Sequence, residues 1–221
     1  MGIVFNQTFK NTVVTYIGFG IGAISTLFLY TNFLTDAYYG LVAYLLSAAN
    51  IVMPILAFGV QNTLIKFYTS YKNEQEQNAF TGFMFLLPLV IIIPVGIIGL
   101  LCYHWIVEYL STTNEIVEPY VWTIFVLAFS MAYFEVFYAW AKVHMKSVYG
   151  NFLKEVYHRL VVMVLLFLVY FEILTIPMFI YSLIGVYFSR MFLMLISAFI
   201  IKKPHFVFSL PTNYINVLKY S

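Results

Sequence analysis

Between long apolar stretches, the charged residues of this chain change sign from one connecting loop to the next, and that alternation constrains the fold more than any other feature. Ten of the eleven Lys and Arg side chains, Lys10, Lys66, Lys72, Lys142, Lys146, Lys154, Arg159, Lys202, Lys203 and Lys219, fall on one side of the pattern. Asp36, Glu108, Glu115, Glu118 and Glu172 occupy the other. Cytoplasmic loops retain an excess of Lys and Arg, so the basic side reads as cytoplasmic and both ends of the chain lie inside. The residues are 63% hydrophobic and 9% charged, against roughly 25% charged in an ordinary soluble domain. That leaves too little polar surface to enclose a water-soluble globule.

The expectation is an all-α, polytopic integral membrane protein, a bundle of six transmembrane helices. About 20 apolar residues are needed to cross the ~30 Å hydrocarbon core. The spans read as about 12–34, 40–68, 79–103, 120–140, 151–171 and 176–201, one lobe over residues 1–203, with 204–221 a cytoplasmic connector or amphipathic tail. Pro88 and Pro94 are expected to bend the third span, and Pro119 to open the fourth. The fifth is apolar only from Leu160 to Phe171, so it is extended back into the basic stretch. Residues 104–119 read as the longest outer loop. In the tail, Pro211-Thr212-Asn213 reads either as the start of a helix along the inner surface or as part of a linker. The polar start and the long first apolar run fit a retained membrane helix rather than a cleaved signal peptide.

Several function classes are disfavoured. A net charge of +2, spread by loop position, does not suggest nucleic-acid binding. The single cysteine, Cys102, has no partner for an intrachain disulfide or a CxxC site. His104, His144, His158 and His205 are scattered without metal-ligand spacing, and the nucleotide and hydrolase motifs are absent, so no cofactor or metal is expected. Gly18-Phe19-Gly20-Ile21-Gly22 lies inside an apolar helix and reads as a close-packing face. Aromatics near span ends, among them Tyr68, Tyr71, Tyr103, Trp105, Tyr109, Tyr120 and Trp140, read as interfacial belts.

Two charges lie deep in apolar segments, Glu135 in the fourth span and Arg190 in the sixth. Each must face protein or water, because a lone charge in hydrocarbon costs several kcal/mol. Either they pair and tie two helices together, or they line an aqueous cavity, and the two readings are compatible. Gln61, Asn62 and Lys66 recur at about one-turn spacing and mark a polar face near the cytoplasmic mouth, with Lys66 open to a second reading as a topology anchor. Asn50 stands four residues before Pro54, where that proline frees a backbone carbonyl, and reads as structural. Lys142, Lys146, Lys154 and Arg159 form a cytoplasmic basic rim.

Three stretches carry a resemblance: Phe33-Leu34-Thr35-Asp36-Ala37-Tyr38-Tyr39-Gly40-Leu41, Gly59-Val60-Gln61-Asn62-Thr63-Leu64-Ile65-Lys66-Phe67-Tyr68, and Asn151-Phe152-Leu153-Lys154-Glu155-Val156-Tyr157-His158-Arg159-Leu160. They resemble, in order, the first outer turn, the inner end of the second helix and the basic start of the fifth helix of bacterial polysaccharide flippases. These belong to the multidrug, oligosaccharidyl-lipid and polysaccharide exporter superfamily. The resemblance implies a transporter of the bacterial cytoplasmic membrane that moves undecaprenyl-diphosphate-linked oligosaccharide to the outer leaflet. It implies no covalent catalysis and a cation-lined cavity between two six-helix lobes. In that cavity Arg190 and Lys66, with Gln61 and Asn62, meet the head group, and Glu135 is the candidate ion or proton site. Family members have twelve or fourteen spans, so six imply a first lobe, its second lobe in the same longer chain or supplied by dimerisation. Besides the substrate, membrane lipids are the expected partners. The alternatives are a drug–cation antiporter of the same superfamily, a lipid-linked sugar polymerase and a non-transporting scaffold. The outer segment, with one His and no Arg, speaks against the polymerase.

Overall fold

The computed structural model describes residues 2–112, 114–204, 211 and 214–220. Within them the regular structure is entirely helical. Helix α1, Val4–Phe33, begins well before the expected start at residue 12, because its polar residues have partners on a neighbouring helix, and it contains a π turn at Ser25–Leu29. Helix α2, Asp36–Ala57, starts behind Thr35 with an acidic residue in its first turn, where the helix dipole favours one.

The expected second span, 40–68, is not continuous. Phe58 and Gly59 both adopt the left-handed region, with φ of 46° and 63°, and the Phe58 N–H turns back to the carbonyls of Pro54 and Ile55. That closes α2 and starts a separate short helix, α3, Val60–Phe67. Helix α4, Glu74–Leu101, takes in residues expected to be loop, since the Asn73 side chain caps it by accepting from the Gln75 N–H at 3.0 Å. It stays helical through Pro88 and Pro94. The expected outer loop is also largely helical, with α5, Tyr103–Ser111, followed by a 3-10 turn, Glu115–Tyr120, that Asn114 caps.

Helix α6, Val121–Val143, is followed by α7, residues 147–170, which is α-helical except for a π turn at Leu153–Tyr157. Helix α8, Ile176–Ile201, matches the expected sixth span to the residue and is capped by Thr175 with Pro177 in its first turn. In the tail, Thr212 and Asn213 lie outside the described residues, as does His205. A short helix α9, Tyr214–Tyr220, is held against α3 by Lys66, whose Nζ sits 3.5 Å from the Tyr220 ring centre.

Among the described residues, five helical stretches are long and apolar enough to cross a membrane: α1, α2, α4, Glu115–Val143 and α8. Lys154, Glu155 and Arg159 in the first half of α7 set it apart from these. Glu115–Val143 is the hub, with 78% of its apolar window buried against 11–33% for the other four. Thr123 and Ser130, buried in α6, bond back to the carbonyls of Tyr120 and Leu127 in the same helical stretch, so these two hydroxyls need no polar neighbour. The expected aromatic belt divides. Tyr103, Trp105 and Tyr109 are exposed, whereas Tyr68, Tyr71, Tyr120 and Trp140 are buried, since their polar tips or rings find protein partners.

Candidate functional site

Four helices turn polar side chains toward one space. From α6 come Met131 and Glu135, four residues apart and therefore on one face. Helix α7 supplies Lys154, Glu155, His158 and Arg159, α8 supplies Tyr187 and Arg190 one turn apart, and α2 supplies Asn50 and Met53. They enclose a cavity of about 210 Å³. The π turn of α7 contains Lys154 and Glu155, and its wider turn brings both successive side chains to the cavity wall.

Glu135 is paired with Lys154, Oε1 to Nζ 2.5 Å. Of the two readings of Glu135 and Arg190, direct pairing is not made: both line the cavity, but the lysine on the intervening helix reaches the carboxylate first. Arg159 pairs along its own helix with Glu155 at 3.4 Å. Arg190 has no ion pair among the described residues. Its guanidinium lies against the rings of Phe134 and Tyr187, 4.4 and 4.7 Å from their centres, an arrangement in which cation–π attraction replaces part of the lost hydration. Arg190 is buried and its Nε has no hydrogen-bond partner, nor does Nη1 of Arg159. Three cations against two carboxylates, with histidine neutral, leave the cavity one positive charge.

Helix α1 forms the back of this wall. A Cβ built on Gly18 would lie 2.5 Å from the Glu155 carbonyl oxygen, and one on Gly22 would lie 3.2 Å from Nη1 of Arg159. The expected small-residue face is therefore what lets α1 close over the charged turn of α7.

The remaining predicted site residues lie elsewhere. Lys66 and Asn62 are exposed, and Gln61 has a buried, unpartnered Oε1; none of the three lines the cavity, because the break at Phe58–Gly59 carries α3 off the line of α2. Of the expected basic rim, Lys142 packs over the Tyr138 ring at 4.0 Å and Lys146 is exposed, while Lys154 and Arg159 leave the rim for the cavity. Glu155, His158 and Tyr187 were not among the expected site residues. The signal for the first two was present as the spacing 151, 154, 155, 158, 159, one polar helical face. The amide of Asn50, which also lines the cavity, donates to the Leu46 carbonyl at 2.9 Å rather than serving the carbonyl freed by Pro54.

A second groove, about 270 Å³ between α4, α6 and α8, is walled by Phe85, Leu89, Phe129, Phe137 and Met191 and has no charged lining residue. Among the described residues no three metal-ligating side chains converge. The chain matches no protein-family model, no curated protein and no solved structure. What fold and site define is a membrane-embedded, multi-pass helical protein with a charged cavity among its helices.

Proposed function

We propose that this chain is a six-span transporter lobe of the bacterial cytoplasmic membrane that carries an anionic, lipid-linked oligosaccharide between leaflets, for polysaccharide or lipopolysaccharide assembly. In this reading α7 is the fifth of the six spans, its charged first half facing protein instead of lipid. The observation that carries the reading is Arg190, a buried guanidinium with no ion pair among the described residues and an unpartnered Nε, set in a cavity of net positive charge. A buried charge of this kind is costly unless a ligand meets it, and a phosphate oxyanion is the group that a guanidinium satisfies best. The same cationic excess argues against a cationic drug as substrate.

Helix-end contacts support the six-span topology with both ends at one membrane face. Gln7 and Asn11, near the start of α1, bond to Met145, just before α7, and to Ser147, its first residue. Lys202, just past α8, bonds to Tyr68 beyond α3 and Trp140 near the end of α6. The opposite ends meet through Phe33 with Tyr170 and Tyr120 with Tyr181. The basic-inside rule makes the first of these faces cytoplasmic.

The test is leaflet accessibility of the lipid-linked oligosaccharide, with polymer export, in cells carrying the wild-type protein or Arg190→Gln at matched membrane levels. The expected outcome is inner-leaflet accumulation and at least a tenfold loss of export in the variant, on the order of the 1.5–3 kcal/mol carried by a charged hydrogen bond. Unchanged export would reduce Arg190 to a packing residue and favour a scaffold.

A further inference from the structure

On the face opposite the basic loops, the short helix α5 shows a side that nothing in the protein covers. It packs Ile106, Val107 and Leu110 against the core and turns Trp105 and Tyr109, 72% and 78% exposed, the other way. Exposed Glu108 stands three residues after Trp105, and Tyr109 four, so a carboxylate and a phenol flank the indole on one helical face. No Lys or Arg occurs between Lys72 and Lys142, and Glu108 makes no ion pair among the described residues.

Two observations put lipid over this face. The exposed apolar side of the membrane-crossing helix α4 runs through Ile97, Ile98, Leu100 and Leu101, and continues into Trp105 and Tyr109 across a single non-helical residue, Cys102. The Tyr109 phenol also interacts with that of Tyr44, about two turns inside the start of α2. That contact sets α5 at the depth of the outer interface, where the amphipathic rings of Trp and Tyr are favoured. Helices that lie in an interface ordinarily carry Lys and Arg, which meet lipid phosphate. Helix α5 carries a carboxylate instead, beside two rings whose faces attract cations, and the complementary head group is an ammonium.

We infer that the exposed face of α5 is a head-group site for a zwitterionic lipid ending in a primary ammonium, phosphatidylethanolamine in chemical class. The ammonium pairs with Glu108 and packs on the rings of Trp105 and Tyr109, while the lipid phosphate stays in the water layer away from the carboxylate. A lipid with an anionic head group, such as phosphatidylglycerol, brings no cation to the site and is repelled by Glu108. The site is separate from the charged cavity and does not depend on what that cavity carries.

The experiment places the full chain in symmetric vesicles of phosphatidylethanolamine and phosphatidylglycerol in equal amounts, with brominated chains on one lipid or on the other. Subtracting the emission of Trp105→Phe isolates the quenching of Trp105 from that of the other tryptophans. Trp105 is expected to be quenched in both vesicles, with phosphatidylethanolamine favoured roughly fivefold beside it. Glu108→Gln is expected to bring that preference close to one while Trp105 stays quenched, and Tyr109→Leu to lower it about twofold. Glu115→Gln, which removes a carboxylate of the same outer segment beyond α5, is expected to leave it unchanged. All four substituted side chains are exposed, so the variants keep the fold. A Trp105 that neither lipid quenches would overturn the placement of α5 in the interface. Equal quenching by the two lipids in wild type, a preference that survives Glu108→Gln, or one that Glu115→Gln abolishes equally would overturn the ammonium site.

Discussion

Helices α6 and α7 are neighbours in the chain and are held in place by opposite means. Helix α6 is the buried hub, apolar on nearly every face, and its buried Thr123 and Ser130 hydroxyls bond to carbonyls of the same helical stretch. Helix α7 is held to α1 by a polar seam. Asn151 donates to the Asn11 backbone carbonyl at 3.0 Å and to the Thr15 hydroxyl at 3.2 Å, Asn11 donates to the Ser147 hydroxyl at 2.9 Å, and Ser147 donates to the Gln7 side-chain Oε1 at 3.1 Å. In lipid there is no hydrophobic drive between helices, so close packing and interhelical hydrogen bonds must do the joining. The first helix is positioned by volume and the second by pairing. The charged cavity forms where the two meet, because the polar face of α7 extends past the α1 seam and turns its surplus charge toward α6.

The largest test of that contrast uses two glycines. A Cβ at Gly150 of α7 would run into the ring of Tyr138 on α6 and lie 3.1 Å from the Met194 sulfur of α8, all of it buried. A Cβ at Gly18 of α1 would meet the Glu155 backbone just as closely, but α1 is the least enclosed of the candidate spans and can withdraw into lipid. Gly150→Leu is expected to cost about 3 kcal/mol and Gly18→Leu about 1 kcal/mol, on the overpacking scale, measured by reversible unfolding in mixed micelles. Equal losses would mean that α1 is as firmly seated as the hub, and the contrast would collapse.

The two regions also differ in how far the sequence announced them. Length and hydropathy place α4, α6 and α8 well, and the bounds of α8 are recovered to the residue, because a long apolar run between a Thr-Ile-Pro start and a Lys-Lys-Pro stop permits little else. The small-residue face of Gly18 and Gly22 is legible for the same reason: it depends on local spacing alone. The break at Phe58–Gly59 is not, since a bulky residue at positive φ is set by tertiary contacts against its own preference. Nor is the partner of Glu135. Arg190 and Lys154 are both within reach by depth, and only the rotation of α7, fixed by its seam with α1 and its π turn, decides that Lys154 arrives first.

A smaller effect is expected from the seam itself. Asn151→Leu removes two hydrogen bonds that cross from α7 to α1 while conserving volume. Membrane hydrogen bonds average about 0.6 kcal/mol each, so the loss should be roughly 1 kcal/mol, with α1 rather than the hub becoming accessible to hydrogen exchange. If protection were lost first in α6, the seam would be carrying the hub, and volume alone would not explain how α6 is held.

The smallest effect lies outside the membrane spans, where three helix ends are tied by a polar and aromatic knot. Trp140 donates from Nε1 to the Lys202 carbonyl at 3.0 Å, Lys202 donates from Nζ to the Tyr68 hydroxyl at 3.0 Å, and His144 donates from Nδ1 to the Trp140 carbonyl at 2.9 Å with its ring 4.3 Å from the indole. Burial pushes the His144 pKa below its ordinary value; the Trp140 carbonyl opposes this, and the Lys202 cation adds to it. The folded state thus holds the imidazole neutral, whereas the unfolded chain takes up a proton near pH 6.5. Stability from this knot is complete above about pH 6.5 and declines as pH falls toward the folded pKa, because there the unfolded state binds more protons. Melting of the wild type in detergent should therefore decline more between pH 7.5 and 5.5 than melting of His144→Phe, which keeps the ring contact without the titration, and the Asn151→Leu variant should show the wild-type slope. A His144→Phe slope as steep as wild type would mean that the acid sensitivity of the fold lies outside the helix-end knot, and that the neutral imidazole adds nothing to it.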